Sequence, residues 1–410
     1  MNILFLTSSA DLYGSSRIFL EAIKALQKSG INPVVVIPHQ GPLEIYLSEL
    51  GIPVYIFNLG ILRRKYVSPL GLINRANKNL KAYRFLSSLH EKFQFELVYS
   101  NTLAVIIGSI FSRRKNIPHT WHIHEIIPGP KPLVKLLSSL LDKGTPQPIA
   151  VSEAVAAHWQ KLLRKSKVQV IHNGIPYQAF LENVDQAKKR IGVAEKKVCI
   201  GMVGRINPGK GQLFFLEMAK QLSQQYPETH FLLVGDPYPG YEPILEEIHE
   251  EIRSNHLESK VSYLGFRKDI PELMAAMDIF VLPSILPDSF PTVILEAMAA
   301  GKPVVATLSG GASEMLEDGK SGFLIPIGDV KKGVEAISQL IESEDLRLEM
   351  GKAGRVRVLE EFSLESFEEK IKKHHLLKHS FYKAWNAGEL DRSVIQEYAA
   401  QYFKHVSAFP

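Results

Sequence analysis

Two cations, Arg205 and Lys210, stand among Gly204, Gly209 and Gly211 in the segment VGRINPGKGQ (203–212), between an apolar run and the helix-patterned LFFLEMAKQL. Glycines let backbone approach a ligand closely, and the start of the following helix offers unpaired N–H groups and positive dipole. Such a turn suits a phosphate. Its G-x-x-x-x-G-K spacing nearly reproduces an ATPase P-loop, but Gly211 stands where that loop needs a Ser or Thr hydroxyl for magnesium. A Gly-rich turn with incidental charges is the plain alternative. A second segment, LPSILPDSFPTVILEAMAAGKPVV (282–305), follows another apolar run: Asp288 falls in its loop, Pro291 suits a first helical turn, and Glu296 lies about one turn beyond Thr292. Carboxylates accept paired hydrogen bonds from vicinal hydroxyls, so two acids beside a phosphate cradle suit a ligand with polyol and phosphate parts, as in a nucleotide sugar. A helix cap at Asp288 and a surface charge at Glu296 are the plain readings.

These loops need strands to hold them. Short β-branched and aromatic runs recur at 2–6, 33–37, 53–57, 96–100, 119–123, 148–151 and 168–171, then at 198–203, 230–234, 261–264, 278–282, 303–306 and 322–325, with helical pattern between them. The alternation predicts two doubly wound α/β domains, each a parallel sheet covered by helices. The turn-forming IHNGIP places a hinge near Asn173 to Pro176. Ligands of open α/β sheets bind beyond the carboxyl ends of the strands, so the cleft between the two sheets is the expected site.

Composition agrees. The 410 residues are 45% apolar and 22% charged, as in a packed globular chain of two to three domains. The single cysteine, Cys199, excludes an intramolecular disulfide framework and thiolate-rich metal clusters, and fits a reducing, cytoplasmic setting. No apolar run reaches about 18 residues, and MNILFLTSS lacks a basic start, so neither a spanning helix nor a signal peptide is expected. Residues 1–175 carry 21 Lys and Arg against 9 Asp and Glu, a net +12, whereas the remainder carries 27 against 34, a net −7. A basic first half favours anionic partners. Arg63, Arg64, Lys65 and Arg113, Arg114, Lys115, with the amphipathic KPLVKLLSSLL (131–141), could dock on anionic lipid at the inner face of a membrane. Nucleic acid is not expected, because no aromatic-basic recognition motif accompanies the charge.

The strings VGRINPGKG, DSFPTVILEAMAAGKPVVAT and GGASEMLEDGKSGFLIP, supported by AVSEAVAAHW, IHNGI and YLGFRKDIPELMAAMDIFVLPS, resemble the family 4 retaining glycosyltransferases of the two-Rossmann GT-B type. The likeness spans about residues 1–375. It implies an enzyme that moves a sugar from a nucleoside-diphosphate donor to a polysaccharide, lipid or other glycoconjugate acceptor of the cell envelope, with no cofactor and no metal. It implies an acceptor-side domain over 1–172, a donor domain over 173–362 and a crossover helix over 363–378. Arg205 and Lys210 match the pair facing the donor diphosphate, and Glu296 the acid that holds the ribose. Asp288 stands where the family's E-x7-E motif has its first glutamate, expected at a sugar hydroxyl; the side chain is here about 1.5 Å shorter. The backbone across Ser289, Phe290, Pro291 and Thr292 is expected near the sugar hydroxyls and distal phosphate, and the turn Gly265, Phe266, Arg267 near the base. In YGSSR (13–17) only Gly14 remains of a common Gly-Gly turn, with Tyr13 in the earlier position. In TWHIHEIIPG (120–129), His124 best matches the family's cleft histidine and His122 is the alternative. Two histidines at i and i+2 of a strand share a face, but no third metal ligand is evident. The tail from His379 resembles the opening helices of haem-oxygenase-like proteins of the PqqC and TenA type. A non-catalytic nucleotide-sugar binder and a P-loop-like ATPase are the competing functions.

Overall fold

The computed structural model describes residues 1–62, 68–145, 147–182 and 186–376. Among these, seven strands form a first parallel sheet: β1 (Asn2–Leu6), β2 (Asn32–Ile37), β3 (Val54–Ile56), β4 (Leu97–Asn101), β5 (His119–Ile123), β6 (Ile149–Ala150) and β7 (Gln169–Val170), ordered 3-2-1-4-5-6-7. Six more form a second: β8 (Val198–Val203), β9 (Thr229–Val234), β10 (Val261–Tyr263), β11 (Ile279–Leu282), β12 (Val304–Thr307) and β13 (Gly322–Ile325), ordered 10-9-8-11-12-13. Runs such as VCIGMV and IFVL are apolar without alternation because helices cover both faces of each sheet. Strand order reverses between β1 and β4 and between β8 and β11, so each sheet opens a crevice at the carboxyl end of its first strand.

Among the described residues, two chain crossings join the lobes. Ile175 N–H donates to the Phe362 carbonyl at 3.0 Å, and a Cβ at Gly174 would lie 2.4 Å from the Ser363 carbonyl oxygen. The expected hinge thus packs directly on the return crossing. The final helix, Leu364–Leu376, comes back to the first lobe: Phe367 and Ile371 are buried with Phe19, Ile23 and Leu26. Lys28 Nζ pairs with Glu368 at 2.8 Å beside this contact. Arg63, Arg64 and Lys65, and the tail from His379 with its haem-oxygenase-like resemblance, lie outside the described residues.

The helix Lys131–Gly144 uses its apolar stripe inside the protein. Leu137 and Leu141 are buried, Leu133, Val134 and Leu140 pack beside them, and Leu136 points outward with Lys131, Lys135 and Lys143. Any contact of this helix with lipid would therefore be carried by charge rather than by the stripe. No helix among the described residues is long and apolar enough to cross a membrane.

Candidate active site between the lobes

Arg205 is fixed by backbone on both sides. The loop after β8 prolongs the ladder with the loop after β9: Gly204 N–H donates to the Val234 carbonyl, Ile206 N–H to Asp236 and Tyr238 N–H to Ile206, at 2.9, 2.9 and 3.0 Å. Gln212 Nε2 donates to the Arg205 carbonyl at 3.1 Å. The guanidinium lies 3.5 Å from the centre of the Tyr13 ring, which belongs to the opposite lobe, and 5.4 Å from that of Tyr238. Gly211 caps the helix Gln212–Gln225 in the left-handed region at φ +78°, and a Cβ there would sit 1.9 Å from the Pro283 carbonyl oxygen. Gly211→Ala is therefore expected to destabilise the protein by more than about 1 kcal/mol, read as a lowered melting temperature.

Glu296 enters from the helix Thr292–Ala299, whose first turn follows Pro291. Its Oε1 lies 3.8 Å from Arg17 Nη1 of the opposite lobe. Burial raises its carboxyl to about 7, with the Arg17 charge pulling the other way. Arg205, Phe266, Arg267 and Glu296 line one cleft of about 1150 Å³ together with Tyr13, Arg17, Asp236 and Tyr238. Phe266 is 48% exposed there, a free aromatic face. Arg267 is oriented by Asp269, whose Oδ1 accepts from Nε at 2.8 Å. Gly265 shapes the turn by accepting from Gly235 N–H at 2.8 Å, and Gly14 opens the helix Gly14–Gln27 behind Tyr13.

The remaining expected residues are placed beside this cleft. Lys210 Nζ donates to Asp288 Oδ2, so the two side chains meet each other rather than the open space. A Cβ at Gly204, which lines the cleft, would lie 3.8 Å from Lys210 Cδ. The loop Ser289, Phe290, Pro291 follows; Gly311 N–H donates to the Asp288 carbonyl at 2.9 Å, and glycines 310 and 311 pack against this backbone. The Phe290 ring turns inward, 7% exposed, stacked on His172.

His124 follows the end of β5, its Nε2 bonded to Asn101 Oδ1 at 2.8 Å. Asn101 Nδ2 in turn donates to the Ser15 carbonyl at 3.2 Å, tying the histidine to the YGSSR turn. Burial pushes His124 down to about 3, so it is neutral at physiological pH. Glu125 is raised to about 7 by burial, against the N–H groups of Leu103 and His124 that its carboxylate accepts. His122 does share the face of His124, with ring centres 4.4 Å apart, but it is fully buried and its Nδ1 bonds the Tyr99 hydroxyl at 2.7 Å. The alternative histidine is thus a core residue. Sequence reasoning passed over Asn101, Arg17 and Tyr238. A polar residue ending an otherwise apolar strand (LVYSN), the Arg of YGSSR and the aromatic loop after β9 were the signals available.

The family model "Glycosyltransferase Family 4" matches residues 13–178, and "Glycosyl transferases group 1" matches 183–357. The UDP-Gal:alpha-D-GlcNAc-diphosphoundecaprenol alpha-1,3-galactosyltransferase of Escherichia coli is 26% identical over 381 residues, covering 88% of this chain and 93% of that protein. N-acetyl-alpha-D-glucosaminyl L-malate synthase of Bacillus anthracis is 31% identical over 53% of this chain and 55% of its own length. Crystal structures of Anabaena HepE, solved with UDP and glucose, superpose with a TM-score of 0.78 at 28% identity, covering 91% of this chain and 99% of HepE. With both halves matched in order and the two-sheet architecture shared, the chain belongs to glycosyltransferase family 4 and is a glycosyltransferase of the GT-B fold.

Proposed function

We propose that this glycosyltransferase moves a hexose from a uridine diphosphate sugar to a lipid-linked or polysaccharide glycan of the cell envelope, with retention of anomeric configuration. The observation that carries the reading is the convergence of Arg205, Phe266 and Glu296 with Tyr13 and Arg17 on one cleft at the carboxyl ends of β8, β9 and β10. Uridine is favoured because HepE has been solved with UDP-glucose and the Escherichia coli relative is named for UDP-Gal. The name of that relative also favours a lipid-diphosphate acceptor.

In this reading Phe266 and Arg267 frame the base and Glu296 accepts from the ribose hydroxyls. Arg205 faces the diphosphate, and Lys210 trades Asp288 for a phosphate oxygen. Asp288 and neutral His124 then meet the sugar. As the sugar–phosphate bond breaks, positive charge grows at the anomeric carbon and negative charge on the leaving diphosphate. Fixed cations stabilise that second charge more in the transition state than in the bound donor. Arg205 and Lys210 fill this role without a metal, and no cofactor is assigned. The acceptor enters on the face that the leaving group vacates, and no catalytic base is named. Cytoplasmic location with peripheral contact to anionic lipid belongs to the same proposal, supported by the basic first half.

A thermal-shift series tests the donor. UDP at a hundredfold excess over its Kd is expected to add about 2.7 kcal/mol of stability, a rise of several degrees, with GDP and ADP giving less. A larger shift with GDP or ADP would replace uridine. No shift with any of the three, or with CDP and dTDP, would remove the nucleotide donor altogether.

A further inference from the structure

Glu314 lies on the short helix Ala312–Met315 of the second lobe, yet its carboxylate reaches into the first. Oε2 accepts the backbone N–H of Glu153 at 2.7 Å and Oε1 that of Ala154 at 2.8 Å, both in the first turn of the helix Glu153–Gln160. Ser152 Oγ accepts Val155 N–H at 3.1 Å, so the helix start is capped partly by its own lobe and partly by the other. The carboxylate also meets the positive end of the helix dipole. His172, just before the hinge, donates from Nε2 to Glu314 Oε2 at 2.9 Å. Its ring lies nearly parallel to that of Phe290, with centres 5.4 Å apart and planes 14° apart. Arg357 Nη2 holds the Glu314 carbonyl at 2.9 Å. One chain of contacts thus runs from a first-lobe helix through Glu314 and His172 to Phe290, between Ser289 and Pro291 of the donor loop.

We propose that Glu314 is a positioning residue that clasps the two lobes in register and, through His172 and Phe290, sets the donor loop against the hinge. A cap serving helix stability alone could come from any neighbouring residue of the same lobe. This one comes from the other lobe, and its partners Glu153, Ala154 and His172 precede the hinge while Arg357 follows it. The inference rests on the donor reading above for its catalytic consequence, but not for its geometry.

The test compares full-length wild type with Glu314→Ala and Glu314→Gln. Ligand-free Glu314→Ala is expected to show a larger radius of gyration by small-angle scattering, because the lobes are no longer held in register. Its kcat should fall by roughly ten- to hundredfold, the consequence of a misplacement on the order of 1 Å at the reacting atoms. Affinity for UDP should fall far less than kcat, since Arg205 and Glu296 stay together in the second lobe and only the Tyr13 and Arg17 contacts loosen, and Glu314→Gln, which keeps one acceptor oxygen, should recover part of the rate. Wild-type scattering and kcat in Glu314→Ala would overturn the clasp. So would a parallel loss of kcat and UDP affinity, which would reduce Glu314 to a support of the donor lobe. If the alanine variant does not fold, Glu314→Gln and His172→Phe carry the same comparison. A wild type that fails to bind UDP would sink the donor reading, while the ligand-free scattering would still decide the clasp.

Discussion

Arg205→Ala is expected to lower kcat by about 10²- to 10³-fold, the effect of removing one well-aimed charge donor worth roughly 2.7–4 kcal/mol in the transition state. The guanidinium stands in the cleft at the end of β8, and the ladder between the loops after β8 and β9 fixes the backbone that carries it. Its charge opposes negative charge that grows only as the sugar leaves, so the loss should fall mainly on kcat rather than on KM. The fold should tolerate the change, because the side chain's main contact is the stack on Tyr13, worth about 0.5–2 kcal/mol. Arg205→Lys keeps the charge but loses the planar face and fork, and should recover only part of the rate. Steady-state kinetics with a UDP-hexose decides the matter. An unchanged kcat in Arg205→Ala would remove the residue from the reaction.

Lys210 is a different kind of cation, and the contrast explains why the cradle holds two. Arg205 rests on an aromatic face, which leaves its N–H fork free of a competing anion in that direction. Lys210 rests on Asp288, so in the proposed function donor binding would exchange one anion for another. That exchange would free the Asp288 carboxylate for the incoming sugar. The short side chain of aspartate, a departure from the family's glutamate, is thus matched by a contact already made inside the site. Reach across to the sugar is the function that the missing methylene puts at stake.

Much of this was legible in the sequence because the signals are local. Each apolar run marked as a strand forms one, and the largest contractions come in the first sheet, where 53–57 narrows to Val54–Ile56, 148–151 to Ile149–Ala150 and 168–171 to Gln169–Val170. Val54–Ile56 and Gln169–Val170 are edge strands paired from one side only, and Ile149–Ala150 extends no further than its pairing with the last two residues of β5 and the two of β7. The loops after β8 and β11 were legible for a related reason: glycine, proline and charge directly after an apolar strand have few other uses in a parallel α/β sheet. What stayed hidden depends on residues far apart in the chain. Asn101 touches His124 across 23 positions, and Glu314 reaches Ala154 across 160. No periodicity encodes such pairs; they follow from which strands become neighbours and how two lobes meet. The amphipathic stripe of 131–141 misleads in the same way, since an apolar face looks alike whether it seeks lipid or the underside of its own lobe.

Glu296→Gln is expected to weaken donor affinity by roughly ten- to hundredfold, the range set by about 1.5–3 kcal/mol for hydrogen bonds to a charged group. It should also remove a pH dependence that the wild type shows. Burial holds the Glu296 carboxyl up at about 7, so near neutrality the donor-free enzyme is a mixture of acid and carboxylate. Ribose hydroxyls donate best to the carboxylate. Donor affinity should therefore fall as pH drops below 7, level off above about 8, and release a proton on binding in between. Arg17 sets where that transition lies: its guanidinium, 3.8 Å from Oε1, favours the ionised form, so Arg17→Ala should carry the midpoint to higher pH. Glu296→Gln has no such midpoint, and Arg17→Ala in that background should leave the profile flat. Isothermal titration with a UDP-hexose, whose esterified phosphates stay fully ionised through this range, in buffers of different ionisation enthalpy reads both the affinity and the proton. A wild-type affinity that is level from pH 6 to 8 with no proton exchanged would show that the ribose does not meet Glu296. The acid on the helix Thr292–Ala299 would then answer to Arg17 alone, as one half of a cross-lobe ion pair.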